Sequence, residues 1–154
     1  MKLSENFTLD EMTKSDVALR NHLDNTPGDT EIKNMVALAE NVLQPVRDHY
    51  GRGVHVNSGY RSPAVNSAAR GSASSEHVKG MAADIEIPGI SNADLAHWIA
   101  DNLDFTQLIL EFYTPGVPSS GWVHVSYNPA NLKKEMLTAV SKDKKTVYLP
   151  GLQA

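Results

Sequence analysis

Ile32, Met35, Val36, Ala39, Val42, Leu43 and Val46 recur at helical spacing, and past the GRG of residues 51–53 the apolar pattern changes to strict alternation. A chain with one long amphipathic helix followed by short alternating runs has to lay that helix on a sheet, because neither element can bury its apolar side alone. Pro45 sits inside the stripe and predicts a kink or a late break. Thr26 and Pro27, in NTPGDT, have the chemistry of an N-cap and a first-turn residue. Upstream, Thr8 with Glu11 forms a capping box and Phe7 with Met12 the flanking hydrophobic staple, so a short helix is expected from Leu9.

The strand signals follow in order. GVHVNSGYRSP alternates through Val54 and Val56 and then turns at a glycine; Ser62 and Pro63 open a short helix that stops before Gly71. MAADIEI places Ala82, Asp84 and Glu86 on one face and Ala83, Ile85 and Ile87 on the other. Ser91 and Asp94 cap a helix whose buried stripe is Leu95, Trp98, Ile99 and Leu103. QLILEFY and WVHVSY read as strands, and EMLTAV and TVYL as a hairpin across SKDKK. The sum is an α+β chain, with N-terminal helices packed on a mainly antiparallel sheet. One domain of residues 1–154 is expected: a helical part over 1–52, a central core over 53–127 and a C-terminal hairpin over 128–154.

Composition narrows the function. A formal charge of −4 with no basic face argues against nucleic acid, whose phosphates require clustered Lys and Arg. With no cysteine, a metal can be held only by histidine and carboxylate. MKLSENFTLDEM lacks the apolar core of a signal peptide and no stretch is long enough for a membrane helix, so synthesis in the cytoplasm without stable membrane insertion is expected. A monomer is the expected state.

Six histidines compete for a functional role. His49 ends the long helix, where it complements the helix dipole; His97 lies near Asp94 and Asp101 as a surface ion pair; His22 falls in a turn-rich stretch. His55, on a strand, could approach a site. His77 and His124 differ in standing beside other competent groups. Trp122, His124 and Ser126 share one face of a strand. An antiparallel hairpin in which Phe112 faces Val123 would put Glu111 opposite His124. His77 from a loop, Asp84 from a strand and His124 from the hairpin would then offer two imidazoles and a carboxylate, a tripod suited to Zn²⁺ with a fourth position for water. Gly80, Ala82 and Ala83 fit a tight turn between ligands. Each residue also has an ordinary structural use: Asp84 as a cap, His124 as a satisfied sheet histidine, Glu111 as a strand end.

These segments resemble a known family. SEHVKGMAAD matches the Ser-x-His-x-x-Gly-x-Ala-x-Asp signature of the M15 zinc peptidases, the D-Ala-D-Ala carboxypeptidase-like family; WVHVS matches its second histidine segment and SGYRSPAVNSAARGS the stretch before the signature. The similarity runs from NFTLDEMTKSD to TVYLPG and is nearest to small single-domain forms carried by bacteriophages and prophages. It implies the hedgehog/DD-peptidase fold, a peptidoglycan stem-peptide substrate and a Zn²⁺ cofactor. On this chain His77, Asp84 and His124 resemble the metal ligands, and Arg61 the arginine that engages a substrate carbonyl or carboxylate. Many relatives carry the acidic base three residues before the second histidine, where this chain has Gly121. Others carry it on the preceding strand, which makes Glu111 the candidate base, with Glu76 and Glu86 in reserve.

The function implied is hydrolysis of an amide bond in the cell-wall stem peptide by an endolysin-like or D,D-carboxypeptidase-like zinc enzyme, acting on the wall in a phage or prophage lysis context. Two alternatives stand beside it: a zinc-containing module that binds cell wall or protein without cleavage, and a vestigial peptidase within a virion component.

Overall fold

A computed structural model describes residues 1–154. Strands β1 (Lys2–Ser4) and β2 (Phe7–Thr8) make a small sheet ahead of helices α1 (Leu9–Thr13) and α2 (Asp16–Asn21). The expected capping box opens α1: Glu11 N–H donates to Thr8 Oγ1 at 3.3 Å and Thr8 N–H to Glu11 Oε1 at 3.0 Å.

The long apolar stripe folds as α3 (Asp29–Leu38), a π-helical segment Ala39–Leu43, and α4 (Gln44–Tyr50). Pro45 accounts for the interruption. It has no N–H to give to the carbonyl one turn back and its ring crowds that carbonyl; a wider turn just before it relieves both without breaking the helix. The stripe therefore stays continuous, with Met35, Leu38, Ala39, Val42, Leu43 and Val46 fully buried. The larger of these side chains stabilise the fold by about 1.5–3 kcal/mol each. Helix α3 starts later than Thr26 and Pro27 suggest, with Gly28 as its N-cap. Asp24 accepts both the N–H of Thr26 at 3.0 Å and its hydroxyl at 2.6 Å, and this local turn uses the group that would have capped the helix.

The remaining elements are β3 (His55–Ser58), α5 (Pro63–Ala68), a 3₁₀ turn Glu76–Lys79, β4 (Ala82–Glu86), α6 (Asn92–Asn102), β5 (Gln107–Glu111), β6 (Trp122–Ser126), β7 (Glu135–Lys142) and β8 (Lys145–Pro150). Strands β3 to β8 form one sheet in the order β3-β4-β6-β5-β7-β8, antiparallel except where β5 meets β7. This is the expected α+β architecture with a mainly antiparallel sheet.

Alternation gives the sheet two different faces. Ala83, Ile85, Leu108, Leu110, Val123 and Val125 are fully buried and join Met35, Leu38, Leu95 and Ile99 of the helices in one core. Asp84, His124, Ile109, Glu111 and Trp122 take the opposite face, where Asp84, Ile109, Glu111, Trp122 and His124 line a cleft of about 770 Å³.

Gly80 closes the 3₁₀ turn with a φ of +73°, and a Cβ there would meet the Glu31 carbonyl oxygen of α3. The small residues between His77 and Asp84 thus serve packing as well as turning: Gly80 lets the turn lie against α3, while Ala82 and Ala83 are already sheet residues with no exposure. Gly80→Ala combines a left-handed backbone with a backbone collision and should destabilise the protein by more than about 1 kcal/mol, read as a lower denaturation midpoint in urea with unchanged slope.

Candidate metal centre

The centre is assembled by a pairing between distant strands. Asp84 and His124 are directly opposite one another in the β4–β6 ladder, and His124 Nδ1 lies 2.9 Å from Asp84 Oδ1. His77, on the 3₁₀ turn, brings Nε2 to 3.4 Å from the same oxygen. One ligand atom from each residue lies within 4.8 Å of the others. All three are buried, with exposures of 3% for His77, 6% for Asp84 and 9% for His124.

The surroundings orient these donors. His77 Nδ1 is 2.7 Å from the Gly59 carbonyl oxygen, which can only accept, so Nδ1 carries a proton and Nε2 is the nitrogen turned to the centre. Ser75 Oγ accepts the His77 N–H at 3.2 Å, and the Arg61 N–H donates to the His77 carbonyl at 3.1 Å. Ser75 therefore holds the turn. Arg61 reaches Asp84 Oδ2 through Nη2 at 3.6 Å, and its Nε donates to Ser58 Oγ at 3.0 Å.

Burial alone would raise the pKa of Asp84. The charge of His77 and the hydrogen bond from His124 overcome it and hold the carboxyl far below the usual carboxylate range. Burial lowers His124 in turn, but its hydrogen bond to Asp84 and the Asp84 charge carry it above the ordinary imidazole value. The site thus keeps an ionised carboxylate at the bottom of the cleft.

Glu111 stands on the cleft side, but not in the expected register. It pairs with Trp122, and His124 faces Ile109. Phe112 adopts a φ of +56° and leaves the strand, so β5 ends at Glu111 and the Phe112–Val123 pair does not form. The displacement is an even number of residues, and Glu111 keeps the face it needs. Trp122 Nε1 donates to Glu111 Oε2 at 2.7 Å, an orienting contact not legible in the sequence because it depends on that register. Burial, then the charge of Asp84, raises the Glu111 pKa against the opposing effects of His124, Trp122 and Arg61.

Gly121 shows why no base precedes His124 directly. It has a φ of +66°, and a Cβ would run into the Glu111 carbonyl oxygen. Of the reserves, Glu76 lines the cleft, whereas Glu86 accepts from Asn57 at 2.8 Å and Asn92 at 3.3 Å and lines a separate small hollow with His55. The other histidines are elsewhere: exposed His22 closes α2, His49 stacks on Trp98 at 4.3 Å, and His97 bonds the Ala154 carbonyl instead of forming the expected ion pair.

Two imidazoles and a carboxylate, buried at the bottom of a cleft and turned inward by outer hydrogen bonds, suit zinc and leave a coordination position open. Such a centre on an α+β sheet defines a metallohydrolase type of site. The Peptidase M15 family profile matches residues 5–126, and the chain belongs to that family. Membership indicates a zinc-dependent metallopeptidase acting on a peptide. Comparison with curated proteins gave no match. No helix is long and apolar enough to cross a membrane.

Alanine at His77, Asp84 or His124 should each weaken zinc binding by more than the ~100-fold that loss of an outer-shell partner costs, as measured by competition with a chromogenic chelator. Because His124 must be unprotonated to bind through its ring, affinity for zinc should fall as pH drops through its raised pKa.

Proposed function

We propose that this protein is a zinc-dependent peptidase that hydrolyses an amide bond in the peptidoglycan stem peptide, acting on the bacterial cell wall in a lysis context. The observation that carries the proposal is the convergence of His77, Asp84 and His124 at the bottom of a cleft whose wall presents a half-buried glutamate. Family membership supports the peptide substrate. The resemblance to phage and prophage forms supports the wall.

His77 Nε2, an Asp84 oxygen and a His124 ring nitrogen would hold the ion. When bound, zinc supplies Lewis acidity, polarising a carbonyl and making water acidic enough to attack near neutral pH. The remaining chemistry belongs to the protein. Glu111 Oε2 is occupied by the Trp122 indole, which leaves Oε1 to accept the proton of the attacking water and return it to the departing amine. Arg61, fixed through Ser58 and Asp84 and lining the cleft, presents positive charge to the substrate oxygen that becomes negative. Burial of the three ligands keeps the reaction at the cleft bottom, where charge interactions are least screened.

Glu111→Gln should abolish release of new amino groups from purified peptidoglycan while zinc content stays at the wild-type level. Since only ionised Glu111 can act as base, kcat/KM should fall as pH drops through a value above the ordinary 4.5. The Trp122 indole lowers the Glu111 pKa, so Trp122→Phe should move this acid limb to still higher pH, as followed in a pH–rate profile.

A further inference from the structure

The family match ends at Ser126, the last residue of β6, yet the cleft does not end there. Strands β7 and β8 extend the sheet, and one transverse row runs Trp122–Glu111–Ala139–Tyr148 through successive strand pairings. Residues paired in this way share a face, so Tyr148 projects on the side that carries Glu111. Ala139, fully buried between them, has no side chain long enough to separate the two. Tyr148 lines the same cleft as His77, Asp84, His124 and Glu111 while remaining 53% exposed on the edge strand. About half of this large aromatic side chain stays open at the cleft wall, where it is free to contact a ligand.

From this placement we infer that Tyr148 is a substrate-binding residue, forming the cleft wall on the Glu111 side, where its ring packs on the peptide and its hydroxyl donates to a peptide carbonyl. The inference rests on the peptidase reading and adds to it a contact from the C-terminal hairpin. Partial burial, then the charge of Glu111, raises the Tyr148 pKa, which keeps the phenol protonated and able to donate at neutral pH.

The test compares Tyr148→Phe, Tyr148→Ala and Thr146→Ala, a control at an exposed position of the same strand. The substrate is soluble muropeptide from purified peptidoglycan, with kcat and KM read by amine release and Kd by calorimetry on the zinc-loaded Glu111→Gln background. Loss of the hydroxyl should raise KM and Kd by about 3- to 10-fold, and loss of the ring as well should raise them by more than ~10-fold, with kcat little changed. Thr146→Ala should match wild type, and the midpoint of thermal unfolding should stay constant across the set. Unchanged KM and Kd in Tyr148→Ala would overturn the inference, as would a fall in kcat alone. If wild type binds muropeptide without cleaving it, the peptidase reading fails and the Kd series still decides the role of Tyr148; if it does not bind, both fall.

Discussion

Everything at the centre depends on one buried carboxylate. Asp84 lies mid-strand with 6% of its surface exposed, and an ionised carboxylate in such a place costs several kcal/mol unless cationic and hydrogen-bonding partners surround it. His77, His124 and Arg61 do so from a turn, a neighbouring strand and a loop. The same arrangement that makes Asp84 tolerable without metal gathers a donor set for zinc. Structure and site are therefore one solution: the β4–β6 pairing that closes the sheet also sets His124 against Asp84.

A second constraint fixes the surroundings of Glu111. Close approach of the Gly121 backbone to the Glu111 carbonyl leaves no space for a side chain at the position before Trp122. The carboxylate beside Trp122 comes from the neighbouring strand instead, where the left-handed turn at Phe112 leaves Glu111 as the last residue of β5. The indole of Trp122 takes one carboxylate oxygen and fixes the side chain on the face that lines the cleft. Orientation and basicity come from different sources: the Trp122 bond orients Glu111 and lowers its pKa, while burial and the Asp84 charge raise it by more.

The sequence made local features legible. The Thr8–Glu11 capping box, the helix stripe and the alternation through Asp84 and His124 depend on near neighbours, and all appear in the fold. Features that depend on distant partners were less legible. Pairing of β4 with β6 joins residues 40 apart in the chain, and no periodicity encodes it. The register of β5 on β6 turned on the backbone conformation of Phe112, for which a bulky residue gives no signal in advance. Gly28 replaced Thr26 as a cap because Asp24 offered a competing local bond. Faces survived these errors and registers did not, since alternation fixes which side a residue takes but not which partner it meets.

X-ray absorption at the zinc edge on the purified, zinc-loaded protein tests the central claim most directly. The account predicts one ion per chain with nitrogen and oxygen neighbours at about 2.0–2.2 Å, two of them imidazoles, and loss of one imidazole from the spectrum when His77 or His124 is replaced. An ion coordinated by oxygen alone, or a spectrum indifferent to both replacements, would contradict it.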